Sequence, residues 1–410
     1  MSFDVSAIKA DFPIFDRTID GKRIVYLDSA NSTQKPRHVI DAMTRFMSEA
    51  YAPVNRSAYR LAAESNDAYE GARNAVAQFI NAPRAHEVIF TKNATEALNM
   101  VAHSWGRANM QRGDAVVLTH MEHHANIVPW QMLRDERGIE IRWIPLTDDG
   151  QLDLTDLSAI LDGAKALSFT AMSNVLGTIT PVRRLTDAAH AAGAIAIVDG
   201  CQYVPHHATD VQALGADFLA FSSHKLCGPT GVGVLWGRED LLESMPPFLG
   251  GGNMISDVRL DGFTTAELPA KFEAGTPPII EVVGLGAAIE YLSRIGMAAV
   301  RAHELSLTTY ALDTLHARFG DEIRIHGPSN VEVRGATLSF DFRGIHPHDV
   351  SQVLDQSNVC VRAGHHCAKP LMRLLGTAAT TRASFYIYND ERDADALADA
   401  LDSASDIFAF

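Results

Sequence analysis

The stretch "DFLAFSSHKLCGPTGVGVL" (217–235) runs from an apolar segment into a glycine-rich turn and carries Lys225 where the apolar segment ends. "FLAFSS" (218–223) reads as a strand leaving a sheet core. A lysine keeps its ammonium in water and is almost never fully buried without a partner. Lys225 is therefore either a solvated residue at a strand tip or an amine with a chemical task.

Working outward, similar apolar runs occur at "RIVYLDSANS" (23–32), "EVIFT" (87–91), "AVVLTH" (115–120), "IRWIPL" (141–146), "ALSFTAMS" (166–173), "AIAIVD" (194–199) and "VGVLWG" (232–237). Helical patterns such as "TEALNMVAHSW" (95–105) and "PVRRLTDAAHAAG" (181–193) lie between several of them. Continuous apolar strands separated by helices predict an α/β protein with a mostly parallel sheet covered by helices on both faces. The texture changes near Gly284. Residues 285–319 have helical spacing with a break at Gly296, and shorter elements follow at 335–342, 348–356 and 359–364, with a last helix from about Asp390. The expected division is an N-terminal arm (1–22) packing on the small domain, a large domain (23–284) and a smaller α+β domain (285–410) carrying a cysteine loop.

The chain of 410 residues is 47% hydrophobic and 21% charged, an ordinary globular composition. A net charge of -15 argues against a nucleic-acid groove, so small anions must be held by local features. No apolar run approaches the ~20 residues that span a bilayer. The start, "MSFDVSAIKADFPIF", lacks a secretory pattern, and the 4 cysteines form no CxxC pair. These features predict a cytoplasmic protein in which any functional cysteine acts as a thiol.

In a parallel sheet the functional groups lie at the carboxyl ends of the strands. "AIAIVDG" delivers Asp199 there, "FLAFSSHK" delivers Lys225, and "VIFTKNATEA" leads through Thr95 into a helix start suited to a phosphate. Alone, Asp199 reads as a turn residue, Thr95 as an N-cap and Lys225 as solvated. Together they suit one cofactor, pyridoxal 5'-phosphate. Its aldehyde condenses with a lysine amine, its ring nitrogen needs an acid, and its phosphate needs N–H and hydroxyl donors. A second constellation, "RAGHHCAKP" (362–370), leaves three readings open: a surface loop, a zinc site, or a nucleophilic thiolate at Cys367 favoured by the charge of Arg362.

The motifs "SSHKLCGPTGVGVL", "MEHHANIVPWQ", "MSNVLGT", "IVDGCQ", "FEAGTPP" and "VRAGHHCAKPL" closely resemble those of SUF-type (group II) cysteine desulfurases. These belong to the class V aminotransferase-like enzymes of fold type I. The resemblance runs from about Phe12 to Phe408. It implies a homodimer that converts L-cysteine to L-alanine and leaves a persulfide on Cys367. A SufE-like protein would then accept the sulfur for iron–sulfur cluster assembly. By the same resemblance Lys225 anchors the cofactor and moves a proton, Asp199 pairs with the ring nitrogen and His123 stacks on the ring. Asn174 and Gln202 lie near the ring oxygen. Thr95, Ser222 and His224 bind the phosphate, joined by Thr276 from the other subunit. Arg382 and Arg362 take the substrate's carboxylate. No metal is implied, and Cys201, Cys227 and Cys360 are structural.

The chain departs from the family at "APVNRSAYRLA" (52–62), where a pattern close to His-Arg-Gly-x-His is usual and Asn55-Arg56-Ser57-Ala58-Tyr59 stands. Ala94 replaces a frequent threonine and Ala171 a common histidine. The alternatives are selenocysteine lyase activity, another pyridoxal-phosphate carbon–sulfur lyase, or a sulfur-transfer scaffold of low turnover.

Overall fold

The computed structural model describes residues 3–55 and 58–408. The apolar runs form a seven-stranded sheet: β1 (Val88–Thr91), β2 (Ala115–Thr119), β3 (Glu140–Ile144), β4 (Ala164–Thr170), β5 (Ile195–Asp199), β6 (Phe218–Ser222) and β7 (Gly233–Gly237). Their order is β1-β7-β6-β5-β4-β2-β3. Only β7 runs antiparallel to its neighbours. The strands are apolar throughout because both faces are covered. In β6, Leu219 and Phe221 enter one core cluster and Phe218 and Ala220 another; Val117 and Val116 of β2 divide the same way. The two-residue period of a strand thus feeds two layers of helices.

A second, antiparallel sheet comprises β8 (Ile323–His326), β9 (Thr337–Phe342), β10 (Arg362–Gly364) and β11 (Thr380–Ser384), in the order β8-β9-β11-β10. The helices Met297–Phe319, Pro347–Asp355 and Glu391–Ile407 close its own core, which includes Leu315, Phe340 and Leu401. Gly296 (φ +87°) separates the helix Ile279–Ile295 from Met297–Phe319 at the expected break. The first of these helices crosses the expected boundary at 284, and its Leu285, Ile289 and Leu292 belong to the core of the large sheet.

The chain near residue 25 also differs from expectation. Val25–Tyr26 pairs in parallel with Val359–Cys360, and Val25 and Leu27 enter the small core. Residues 25–27 therefore pack with the small sheet because their apolar side chains find a core there. The arm before them is tied down at buried Asp393, which pairs with Lys9 (3.0 Å) and Arg23. Among the described residues no helix is long and apolar enough to cross a membrane.

Candidate active site

The carboxyl ends of β5 and β6 bring Asp199 and Lys225 into one cleft of about 190 Å³. Asp199 ends β5, is buried, and accepts a hydrogen bond from the Cys201 N–H (3.0 Å). Lys225 follows β6 on a short turn and is half-buried. Thr95 lies on the first turn of the helix Ala94–Met100, whose cap Asn93 accepts from the Glu96 N–H (3.0 Å). Ala94 N–H donates to Ser222 Oγ (2.9 Å), fixing the helix start to the end of β6. Gly233 makes this approach possible, since a Cβ there would sit 2.5 Å from the Asn93 backbone. The cleft wall holds Thr95, His123, Asn174, Asp199, Gln202, Ser222, His224 and Lys225. Cys201, assigned a structural place by sequence, also lines it.

Burial governs the electrostatics. His123 Nδ1 accepts from the Ala125 N–H (3.0 Å), which puts the ring proton on Nε2. Burial, together with the charges of Lys225, His124 and Arg382, pushes His123 down to about 3. The ring is therefore neutral at physiological pH. Burial and the charges of Lys225 and Lys35 lower His224 to about 4. Behind it, Lys35 donates to the carbonyls of Thr33 (2.6 Å) and His224 (3.1 Å), and burial lowers its ammonium to about 8. Beside His123, burial raises Glu122 to about 8 although Asn126 Nδ2 (2.7 Å) and the Thr170 N–H (3.0 Å) donate to it.

The cysteine loop docks onto the same turn. β10 leads into His366 (φ +50°) and Cys367 (φ +56°), two successive left-handed residues with side chains, before the helix Lys369–Leu374. Such a conformation costs ~1–2 kcal/mol per residue. Three bonds to the large domain hold it: His124 N–H to the Cys367 carbonyl (2.8 Å), Lys369 N–H to His124 Nε2 (2.9 Å), and Asn174 Nδ2 to the His366 carbonyl (2.7 Å). Cys367 is exposed, whereas Cys227 is buried and Cys201 and Cys360 are half-buried. Burial raises the thiols of Cys201 and Cys360, and that of Cys227 to about 12. Among the described residues no cluster of three His, Cys, Asp or Glu side chains could hold a metal ion.

Arg362 and Arg382 face each other across β10 and β11 and share Asp28, a residue the sequence reading passed over. Its signal was present: "IVYLD" ends an apolar run in an acid, as "AIAIVD" does. Thr276 stands outside the cleft, in a turn where Gly275 has φ +83°. It lines two surface depressions, one with Lys92 and Glu96 and one with Asn55. Asn55 (φ +77°) donates to Asn253 Oδ1 (3.2 Å); Arg56 and Ser57 of the departing segment lie outside the described residues. Ala171 and Ala94 are both buried.

The donor set fits pyridoxal phosphate. The cleft provides an amine, a buried carboxylate, and hydroxyl and imidazole groups gathered at a helix start. The fold and cleft thus define a pyridoxal-phosphate enzyme with a large, mostly parallel seven-stranded sheet. The chain belongs to the Aminotransferase class-V family, whose model matches residues 25–397. It is 51% identical over 411 residues to a "Probable cysteine desulfurase" of Streptomyces coelicolor, covering 99% of this chain and 98% of the relative. A cysteine desulfurase of Haloferax volcanii is 46% identical, with 99% and 98% covered. The solved apo structure of a cysteine desulfurase from Thermococcus onnurineus superposes with a TM-score of 0.92 at 38% identity, over 96% of both chains.

Proposed function

We propose that this protein is a cysteine desulfurase that transfers the sulfur of L-cysteine to Cys367. The observation that carries the reading is the junction of the two constellations. The exposed cysteine's carbonyl is bonded to the turn that bears His123, beside the cleft of Lys225 and Asp199. Relatives named cysteine desulfurase, matched over nearly their full length, support it.

Lys225 would hold the cofactor's aldehyde carbon, Asp199 its ring nitrogen and His123 its ring face. Asn174 and Gln202 would lie near the ring oxygen. Thr95, Ser222 and His224, with Thr276 of the partner subunit, would hold the phosphate. Pyridoxal phosphate bound there withdraws electrons from the substrate's Cα and so acidifies its Cα–H. Lys225 Nζ takes and returns that proton. Arg382, bonded to the carbonyl of the cleft residue Asn174, holds the substrate's carboxylate, and Arg362 is tied to Arg382 through Asp28 rather than lining the cleft itself. Neutral His123, with its one proton on Nε2, can donate a hydrogen bond into the cleft without placing a charge on a buried ring. Cys367 gives up its thiol proton and its Sγ attacks the substrate sulfur; the S–S bond forms as the substrate's C–S bond breaks, Cβ takes up a proton to become a methyl group, and alanine leaves. The sulfur pair is oxidised to the persulfide level as the substrate's Cβ is reduced to a methyl group, so the reaction needs no outside oxidant.

The functional unit in this reading is a homodimer, because Thr276 lies outside its own chain's cleft. The loop's exposure suits hand-off to a SufE-like acceptor for cluster assembly in the cytoplasm. The division into arm, large and small domains is read as 1–22, 23–284 and 285–410, with 25–27 and the helix Ile279–Ile295 bridging the units. Quantifying alanine from L-cysteine tests the reading; wild-type alanine release by Cys367→Ser would contradict it.

A further inference from the structure

Asp28 holds the two arginines unequally. Arg362 grips it through Nε (3.1 and 3.2 Å to the two oxygens) and Nη2 (2.8 Å). Arg382 reaches it only through Nη2, at 3.3 Å, longer than a typical N–H···O bond. Arg382 Nη1 donates to the Asn174 carbonyl (2.9 Å), so the guanidinium is anchored beside the cleft without Asp28. Its side chain is 2% exposed, and its buried Nε–H has no acceptor among the described residues. A buried donor left unpaired is costly. The Nε/Nη2 edge, one atom unpaired and the other weakly bonded, is a fork that matches a carboxylate.

We propose that Asp28 is a specificity-determining residue, an internal carboxylate that competes with the substrate's carboxylate for Arg382 while remaining bonded to Arg362. The inference rests on the reading of Arg382 as the carboxylate-binding residue. A substrate carboxylate arriving on the Nε/Nη2 edge replaces one long contact by two charge-assisted bonds. Asp28 keeps its three contacts with Arg362, so no buried acid is stranded. Its negative charge leaves the Asp28–Arg362–Arg382 group with one net positive charge instead of two. Substrate and product carboxylates are both held less tightly, and turnover is favoured over retention. A purely structural role would be to neutralise two arginines that stand directly opposite each other on adjacent strands.

Asp28→Asn in the full-length protein separates the two roles. Competition predicts that KM for L-cysteine falls about three- to ten-fold while kcat changes less than about two-fold, because one repelling charge is removed from ground and transition states alike. Calorimetric titration of the cofactor-free protein with propionate, a carboxylate lacking the amine and thiol, should show affinity rising by a similar factor. Asp28→Glu, which keeps the charge, should show neither the fall in KM nor the gain in propionate affinity expected of Asp28→Asn. Arg382→Lys should raise KM about ten-fold or more and weaken propionate binding, since an ammonium cannot form the fork. No change in Arg382→Lys would overturn the carboxylate-binding reading itself. With that reading standing, a raised or unchanged KM and unimproved propionate binding in Asp28→Asn would overturn competition. Should Asp28→Asn not fold, Asp28→Ser, smaller and equally neutral, carries the same expectations.

Discussion

Asp199 and the segment leading to Lys225 leave the ends of adjacent strands whose neighbours are packed on both faces. Cys367 instead sits on a turn that two left-handed residues bend into solvent, held by a few bonds to the large domain. The first construction suits a group whose geometry must not change during the reaction. The second suits an exposed thiol on a loop docked beside the cleft, which in the proposed function takes up sulfur and passes it on. Strain at His366–Cys367 is tolerated because bonds from Asn174, His124 and Lys369 determine the loop's path.

The largest effect is expected at Lys225. Lys225→Ala should lose the cofactor's visible absorption band and about 10³-fold or more of alanine production, since in the proposed function the amine both anchors the cofactor and moves the proton. Cys367→Ser should retain the band and lose about 10²-fold or more of the activity, because a hydroxyl is a poor sulfur acceptor. If both variants lost the band, the two regions would not be separable.

A backbone test comes next in size. At Gly233 an added methyl meets the Asn93 backbone at 2.5 Å. Gly233→Ala should destabilise the protein by ~1–3 kcal/mol and weaken cofactor retention, as judged by thermal melting and dialysis. Thiol labelling of exposed Cys367 should be unaffected.

The pH test concerns the acid beside His123. Folded Glu122 keeps its proton to about 8 against an ordinary value of 4.5. The folded state therefore binds more protons in that window, and stability falls as pH rises through it. Glu122→Gln should remove this part of the slope in denaturant titrations from pH 5 to 8. An unchanged slope would show that Glu122 is ionised without penalty.

The smallest effect is expected where the chain departs from its family. Asn55 and Tyr59 cannot supply a histidine's titration near neutral pH. Restoring both histidines together with Ser57→Gly should change acceptor-stimulated turnover only a few-fold and leave the absorption band unchanged. A changed band would move this segment into the cofactor site.

The large sheet was legible because strands buried on both faces write themselves as apolar runs. The small sheet was less so. "VCVRAG" reads as one strand but divides, with 359–360 pairing to 25–26 and 362–364 to 380–382. "TTRAS" (380–384) escaped notice because its buried threonines, arginine and serine carry no apolar signal. The exposed hairpin of Ile255–Arg259 and Gly262–Thr265 likewise has no buried face to announce it. The helix expected over 95–105 contains a wider turn at Val101–Gly106 that no residue pattern marks. At the site, Asp199, Lys225 and Thr95 were visible because each closes or opens a strongly patterned element. Asp28 closes an apolar run as well, but its meaning lies in Arg362 and Arg382, which are distant in sequence.

Passage of sulfur from L-cysteine to Cys367 can be followed in a single turnover. Cofactor-loaded protein is mixed with one equivalent of L-cysteine without reductant, alanine is quantified, and cysteine-containing peptides are weighed by mass spectrometry. Transfer to Cys367 predicts alanine in step with one added sulfur atom on the Cys367 peptide, and none on peptides bearing Cys201, Cys227 or Cys360. Alanine formed with the Cys367 peptide unmodified, or sulfur found on another cysteine, would contradict it.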